Sequence, residues 1–121
     1  MLRVLMVCMG NICRSPTAEA VLRQRLERNA PELRVEVDSA GIHGYHTGEP
    51  PDRRAIEHAA RRGIDLSGLR ARRLTAEDFQ QFDYVLCMDE DNLRSASVLR
   101  PNPSRAHLGL LMDFATDMAA R

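Results

Sequence analysis

Cys8 and Arg14 stand six positions apart in "VCMGNICRSP", residues 7–16, a spacing that suggests a nucleophile set beneath a clamp for an oxyanion. The stretch follows the apolar run Leu2 to Val7 and precedes the helical pattern of "TAEAVLRQRLERN". A loop entering a helix aims several backbone N–H groups into one concavity, and the helix dipole adds positive potential there. A cysteine at the base of that cradle has its thiolate stabilised by the same groups and is nucleophilic at neutral pH. Arg14 offers a planar fork for two phosphoryl oxygens. Gly10 lets the backbone close up where a Cβ would crowd the ligand. Asn11 tolerates a left-handed conformation and can tie the loop with its amide. Ser15 can donate its hydroxyl proton to the sulfur, which helps when that sulfur must leave again. A cysteine after a strand is ordinarily a small buried filler. The ordered string Gly10, Asn11, Arg14, Ser15, Pro16 is what turns the reading towards chemistry. A nucleotide-binding GxxxxGK loop is absent.

The elements that must position these residues follow from periodicity. Leu2 to Val7 reads as a buried strand, and Pro16 sits as a first-turn proline with Ser15 as N-cap. Apolar residues at 18, 21, 22 and 26 make the stripe of the first helix. "LRVEVDSA" alternates at Leu33, Val35 and Val37 and predicts a second strand. The glycine- and proline-bearing residues 40–52 predict a loop. "RRAIEHAARRG" predicts a helix stopped at Gly63, and Thr75 to Asp78 carries a capping-box pattern. "YVLCM" predicts a third strand, "DEDNLRSASVL" a helix with acid in its first turn, and "AHLGLLMDF" a fourth strand. Strands alternating with helices imply an α/β fold, a parallel sheet with right-handed crossovers and helices on both faces. Ligands of such sheets bind beyond the carboxyl ends of the strands, where residues 8–15 fall.

The 121 residues suit one domain over 1–121. Their 17 basic residues balance 17 acidic ones, so bulk charge gives no argument for a nucleic acid or an anionic membrane as partner. Every basic residue is arginine, which excludes a lysine-based mechanism. Residues 1–7 are too short for a signal peptide or a membrane span, and no later apolar run approaches membrane length. A cytoplasmic location is expected. Three cysteines, Cys8, Cys13 and Cys87, make neither a disulfide framework nor a CxxC pair, and the four histidines show no ligand spacing with them. No metal or other cofactor is expected.

"VCMGNICRSPTAEAVL" resembles the signature loop of the low-molecular-weight protein tyrosine phosphatases. The resemblance continues in "DSAGIHGYHTGEPPDRRA", "GIDLSGLRARRLTAEDF", "FDYVLCMDEDNLR" and "LLMDFA", and so spans nearly the whole chain. It implies a three-layer α/β fold with a four-stranded parallel sheet. It also implies hydrolysis of phosphotyrosine, on proteins or in small aryl phosphates, through a phospho-cysteine. By this resemblance Cys8 is the nucleophile and Arg14 the phosphate-binding arginine. Met9, Gly10, Asn11, Ile12, Cys13 and Ser15 line the substrate, with Asn11 and Ser15 ordering the loop and Met9 supplying an apolar floor. Ser39 is the supporting serine of "SAG". Tyr45 falls where the family places an aromatic beside the substrate ring; as the only aromatic of a polar loop it suits a stacking wall, or it packs the loop on the domain. Cys13 matches the family's second loop cysteine, which could trap an oxidised Cys8 as a disulfide, or it is a small filler.

Two departures stand out. The family's histidine in "DLSGHRAR" is replaced by Leu69, so the loop asparagine needs another support. The family's general acid, an aspartate in an Asp-Pro motif beyond "LLLDFA", has no counterpart: no Asp-Pro dipeptide occurs, and the last loop and helix of the fold are expected to be missing. Asp113 matches a strand-end position, which leaves Asp117 as the late carboxylate to consider. Two other functions use the same cradle. An arsenate reductase needs further thiols to relay a disulfide, and Cys87 has no partner a few residues on. A phosphotyrosine- or anion-binding module needs no acid at all.

Overall fold

A computed structural model describes residues 1–114. Four parallel strands form one sheet in the order β2-β1-β3-β4: β1 Leu2–Cys8, β2 Val35–Gly41, β3 Tyr84–Cys87 and β4 His107–Leu110. The helices are α1 Arg14–Asn29, α2 Arg53–Arg61, the single turn α3 Asp78–Gln81, and α4 Glu90–Leu99. The α/β class and the four-strand parallel sheet expected from sequence are what the chain adopts.

Both faces of the sheet are covered, so β1 is buried continuously from Val4 to Cys8 instead of alternating with polar residues. Leu5, Val7, Val85 and Cys87 face one layer, packed with Phe79, Phe82, Leu93 and Ala96. Val4, Met6, Val37 and Leu86 face the other, where Ala18, Leu22 and Leu26 of α1 lie against them. The predicted stripe of α1 is thus the sheet-facing one except at Val21, which is half-buried toward α2. Ala20 meets Ala55, Ala59 and Leu66, and small side chains let α1 and α2 approach closely.

Several boundaries differ from the sequence reading. Ser15 is not an N-cap: α1 begins at Arg14, Cys13 takes the cap position, and Ser15 turns inward. β4 ends at Leu110, and residues 111–114 are helical, so "AHLGLLMDF" is only half strand. The Thr75–Asp78 box is half formed. The Asp78 carboxylate accepts from the Thr75 N–H at 2.9 Å, but the Thr75 hydroxyl points at that carboxylate instead of capping, because Asp78 also binds Arg72. Gly63 at φ +77° does end the chain's run beyond α2. Asp117 lies outside the described residues.

The first strand sits inside the sheet, with β2 on one side and β3 on the other. The chain direction therefore reverses its order between β1 and β3, and the crevice at their carboxyl ends is the place where such folds bind ligands.

Candidate active site

Cys8 is the last residue of β1 and is 3% exposed. Its sulfur accepts from the Asn11 N–H at 3.3 Å and lies 3.0 Å from Ser15 Oγ. Asn11 adopts φ 59°, the left-handed conformation its short amide side chain tolerates, and that turn is what points its N–H back at the sulfur. The Asn11 side chain is fixed at both ends: its Oδ1 accepts from the Arg72 N–H at 3.0 Å, and its Nδ2 donates to Ser15 Oγ at 2.7 Å. Ser15 Oγ accepts from Asn11, which leaves its own proton available to a thiolate at Cys8. Arg72 N–H therefore orients Asn11, Asn11 orients Ser15, and Ser15 supports the sulfur. The backbone of Arg72 does what a histidine at position 69 would have done. Leu69 instead packs against the α1–α2 cluster.

Three further contacts hold the loop. Ile42 N–H donates to Cys8 O and His43 N–H to Met9 O, while Asp52 N–H donates to Ile12 O at 2.6 Å. Gly41 pairs with Cys8 in the sheet register, and a Cβ there would lie 2.9 Å from Gly10 C and 3.0 Å from Asn11 N. Only glycine leaves room for the loop to fold back over β2. Gly10 is crowded differently from the sequence expectation. A Cβ on it would meet the rings of His46 at 3.1 Å and His43 at 3.2 Å, so it is the neighbouring histidines that need the space.

Arg14 stands on the rim, half exposed, with Nη1 2.8 Å from Asp89 Oδ2. Asp89 also caps α4 by accepting from the Asn92 N–H; that bond first, and Arg14 next, hold its carboxyl below the ordinary range. An exposed ion pair of this kind is weak, so a phosphoryl dianion is a strong competitor for the guanidinium. Tyr45 projects into solvent at 86% exposure, tilted against the His43 ring at 4.5 Å between centroids. Its ring therefore touches its own loop and is not packed into the body of the domain. Met9 is likewise exposed beside the cradle, Ile12 is half-buried and Cys13 exposed with a free thiol.

Ser39 does not reach the loop. It donates to the buried Glu19 carboxylate at 2.7 Å, whose other oxygen binds Arg23 at 2.5 Å, and Arg23 reaches Val37 O. The serine thus pins α1, and with it Ser15, to β2. Glu19, Arg72, Gly41 and Asp89 are the residues sequence reasoning missed. Glu19 had a legible signal, since it follows Ser15 by four and shares its helix face. The other three act through backbone, close approach or another strand, and no local pattern marks them.

The cradle thus lies beneath a left-handed asparagine and above the end of an interior strand. The profile of the family described as low molecular weight phosphotyrosine protein phosphatase matches residues 3–121. The chain belongs to this family. A low molecular weight phosphotyrosine protein phosphatase of Schizosaccharomyces pombe is 43% identical over 116 residues, 95% of this chain and 74% of that protein. YfkJ of Bacillus subtilis, a low molecular weight protein-tyrosine-phosphatase, is 39% identical over 117 residues, and its crystal structure superposes with a TM-score of 0.89 over 97% of this chain and 74% of its own. The crystal structure of Primo-1 gives the same TM-score at 44% identity, covering 93% of this chain and 72% of that one. The protein is accordingly a phosphoric monoester hydrolase of the phosphotyrosine phosphatase type. Among the described residues, no helix is long and apolar enough to cross a membrane.

Proposed function

We propose that Cys8 is the covalent nucleophile and Arg14 the phosphate clamp of this phosphatase. The observation that carries the reading is the sulfur of Cys8 at the bottom of a loop whose N–H and hydroxyl donors converge on it. In the first step Cys8 Sγ forms a bond to phosphorus while the bond from phosphorus to the aryl oxygen breaks, and that oxygen leaves as a phenolate that solvent water protonates. Arg14 exchanges Asp89 for two equatorial oxygens. Ser15 then stabilises the sulfur as water attacks phosphorus, the S–P bond breaks, and inorganic phosphate departs. Met9, Gly10, Asn11, Ile12, Cys13 and Ser15 surround the phosphoryl group, and Tyr45 flanks the ring. The substrates are phosphotyrosine on proteins and small aryl phosphates.

The arsenate-reductase alternative is disfavoured by Cys87, a fully buried thiol pushed up to about 12 by desolvation and then by the Asp89 charge. Such a thiol cannot relay a disulfide at neutral pH. Three free cysteines suit a reducing compartment, and we place the protein in the cytoplasm.

Cys8→Ser is expected to reduce turnover of phosphotyrosine and 4-nitrophenyl phosphate to background while inorganic phosphate still binds. Arg14→Lys is expected to impair both binding and turnover, since an ammonium cannot hold two oxygens in a plane. Turnover surviving in Cys8→Ser would falsify the assignment.

A further inference from the structure

A cleft of about 710 Å³ runs between α1 and α2 and is lined at one end by Cys13 and Arg14, the residues that follow the anion loop into α1. Its α1 wall is the face Arg14, Thr17, Ala18 and Val21, spaced i, i+3, i+4, i+7, and its floor is completed by Ala55, Ala59 and Ile64. The opposite rim is Arg54, His58 and Arg62, spaced four apart along the α2 side. Neither Arg54 nor Arg62 takes part in an ion pair among the described residues, whereas Arg53 on the outer side is matched by Glu57. The one acid of the cleft, Asp52, is turned to cap α2 by accepting from the Arg54 N–H. The result is a small-residue floor beneath unpaired positive charge on a chain whose total charge is zero.

We propose that this cleft seats the stretch of a protein substrate next to its phosphotyrosine, with an apolar side chain on the Ala18–Val21 floor and acidic side chains against Arg54 and Arg62. The proposal rests on the reading of the cradle as a phosphotyrosine site. An inorganic or small aryl phosphate fills only the cradle; a peptide must leave it along the surface, and this is the concave path that starts at Arg14. The charge of the rim selects acid over neutral or basic neighbours.

The test uses three phosphotyrosine peptides of equal length, flanked on both sides by Glu, by Gln or by Arg, together with 4-nitrophenyl phosphate. The wild-type protein is expected to show a kcat/KM about three- to tenfold higher for the Glu peptide than for the Gln peptide at low salt, shrinking as salt is added. The double variant Arg54→Glu, Arg62→Glu is expected to reverse that order in favour of the Arg peptide and to leave 4-nitrophenyl phosphate hydrolysis unchanged. Equal values for the three peptides in the wild type, or an unchanged order in the double variant, overturn the proposal. Binding of the same peptides to Cys8→Ser, read by fluorescence anisotropy, separates the two readings. Charge-ordered binding without any wild-type turnover keeps the cleft and removes the catalytic assignment. Turnover with no charge order in either measurement removes the cleft and keeps the assignment.

Discussion

The junction from β1 into α1 and the junction from β3 into α4 lie side by side at the same end of the sheet, and each strand ends on a buried cysteine. Their register makes them differ. Val7, not Cys8, pairs with Cys87, so Cys87 faces the layer of Val7, Phe79 and Phe82, while Cys8 is offset by one and faces α1. The helix starts differ as well. Asp89 caps α4 with its carboxylate, and Glu90 and Asp91 add negative charge to its first turn. The start of α1 has neither a side-chain cap nor an acid. One junction caps its helix start with a side chain; the other has no such cap, which suits the anion site proposed above. The same supersecondary unit thus gives a structural plug or an anion site according to a few side chains at the turn.

Labelling puts the largest expected difference on this comparison. A thiol at about 12 is ionised to only about one part in 10⁵ at pH 7. Native protein treated with iodoacetate should therefore be modified at Cys8 and not at Cys87, with phosphate protecting Cys8; peptide mass mapping reads both. Prior modification of Cys87 would show that the two junctions have been assigned the wrong way round.

Among the described residues the open junction supplies a nucleophile and a cradle, and the carboxylate beside Arg14, Asp89, is held ionised by the α4 cap and that ion pair, so it has no proton to give a leaving oxygen. General acids contribute about a hundred- to ten-thousandfold, and most for poor leaving groups. Across a series of aryl phosphates, the rate of the 121-residue chain should fall steeply as the leaving phenol becomes less acidic, leaving 4-nitrophenyl phosphate well ahead of phosphotyrosine. A flat series that becomes steep in Asp117→Asn would instead assign the proton to Asp117.

Closing the open junction by crowding should cost less. In Gly41→Ala the new Cβ presses on the backbone of Gly10 and Asn11. Overpacking of this kind costs about 1–3 kcal/mol. We expect a fall in kcat/KM of about tenfold or more, with a lower melting temperature, and Gly48→Ala, where nothing lies within 4 Å but φ is +85°, should lower stability without that loss of activity.

The smallest effect belongs to the plugged junction. Cys87 binds its proton more tightly in the folded state, at about 12, than at its ordinary 9.0, because of burial and then the Asp89 charge. Its contribution to stability is therefore full below about pH 9 and is lost as pH rises from there through about 12. Denaturant midpoints across that range should fall less steeply in Cys87→Ala than in the wild type.

The cradle was legible because its parts are adjacent in the chain. Residues 8–16 sit on one turn, and their types state a nucleophile, a flexible point, an amide tie and a planar cation in order. Elements with a clean period were legible for the same reason, including α2 with its Gly63 stop. Where a residue had two partners to choose from, local pattern showed both or only one. Ser15, read both as a cap and as a donor to the sulfur, bonds Cys8 and does not cap, and Asp78, read as half of a capping box, accepts from the Thr75 N–H but also binds Arg72. The fourth strand was read too long because Leu110, Leu111 and Met112 are apolar in either conformation.

By itself the sequence determined the α/β alternation, the place of the loop after the first strand, and the spacing that sets Cys8 and Arg14 at its two ends, since each depends on residues within one or two turns of one another. Only the tertiary structure decided what holds that loop in shape. The Arg72 N–H on Asn11, the bare Cα of Gly41 beneath Gly10, the Ser39–Glu19 bond and the Arg14–Asp89 pair all join segments 20 to 75 positions apart. Such contacts exist only once the strands are in register, because the sheet, and no local propensity, fixes which distant backbone atoms come within hydrogen-bonding distance.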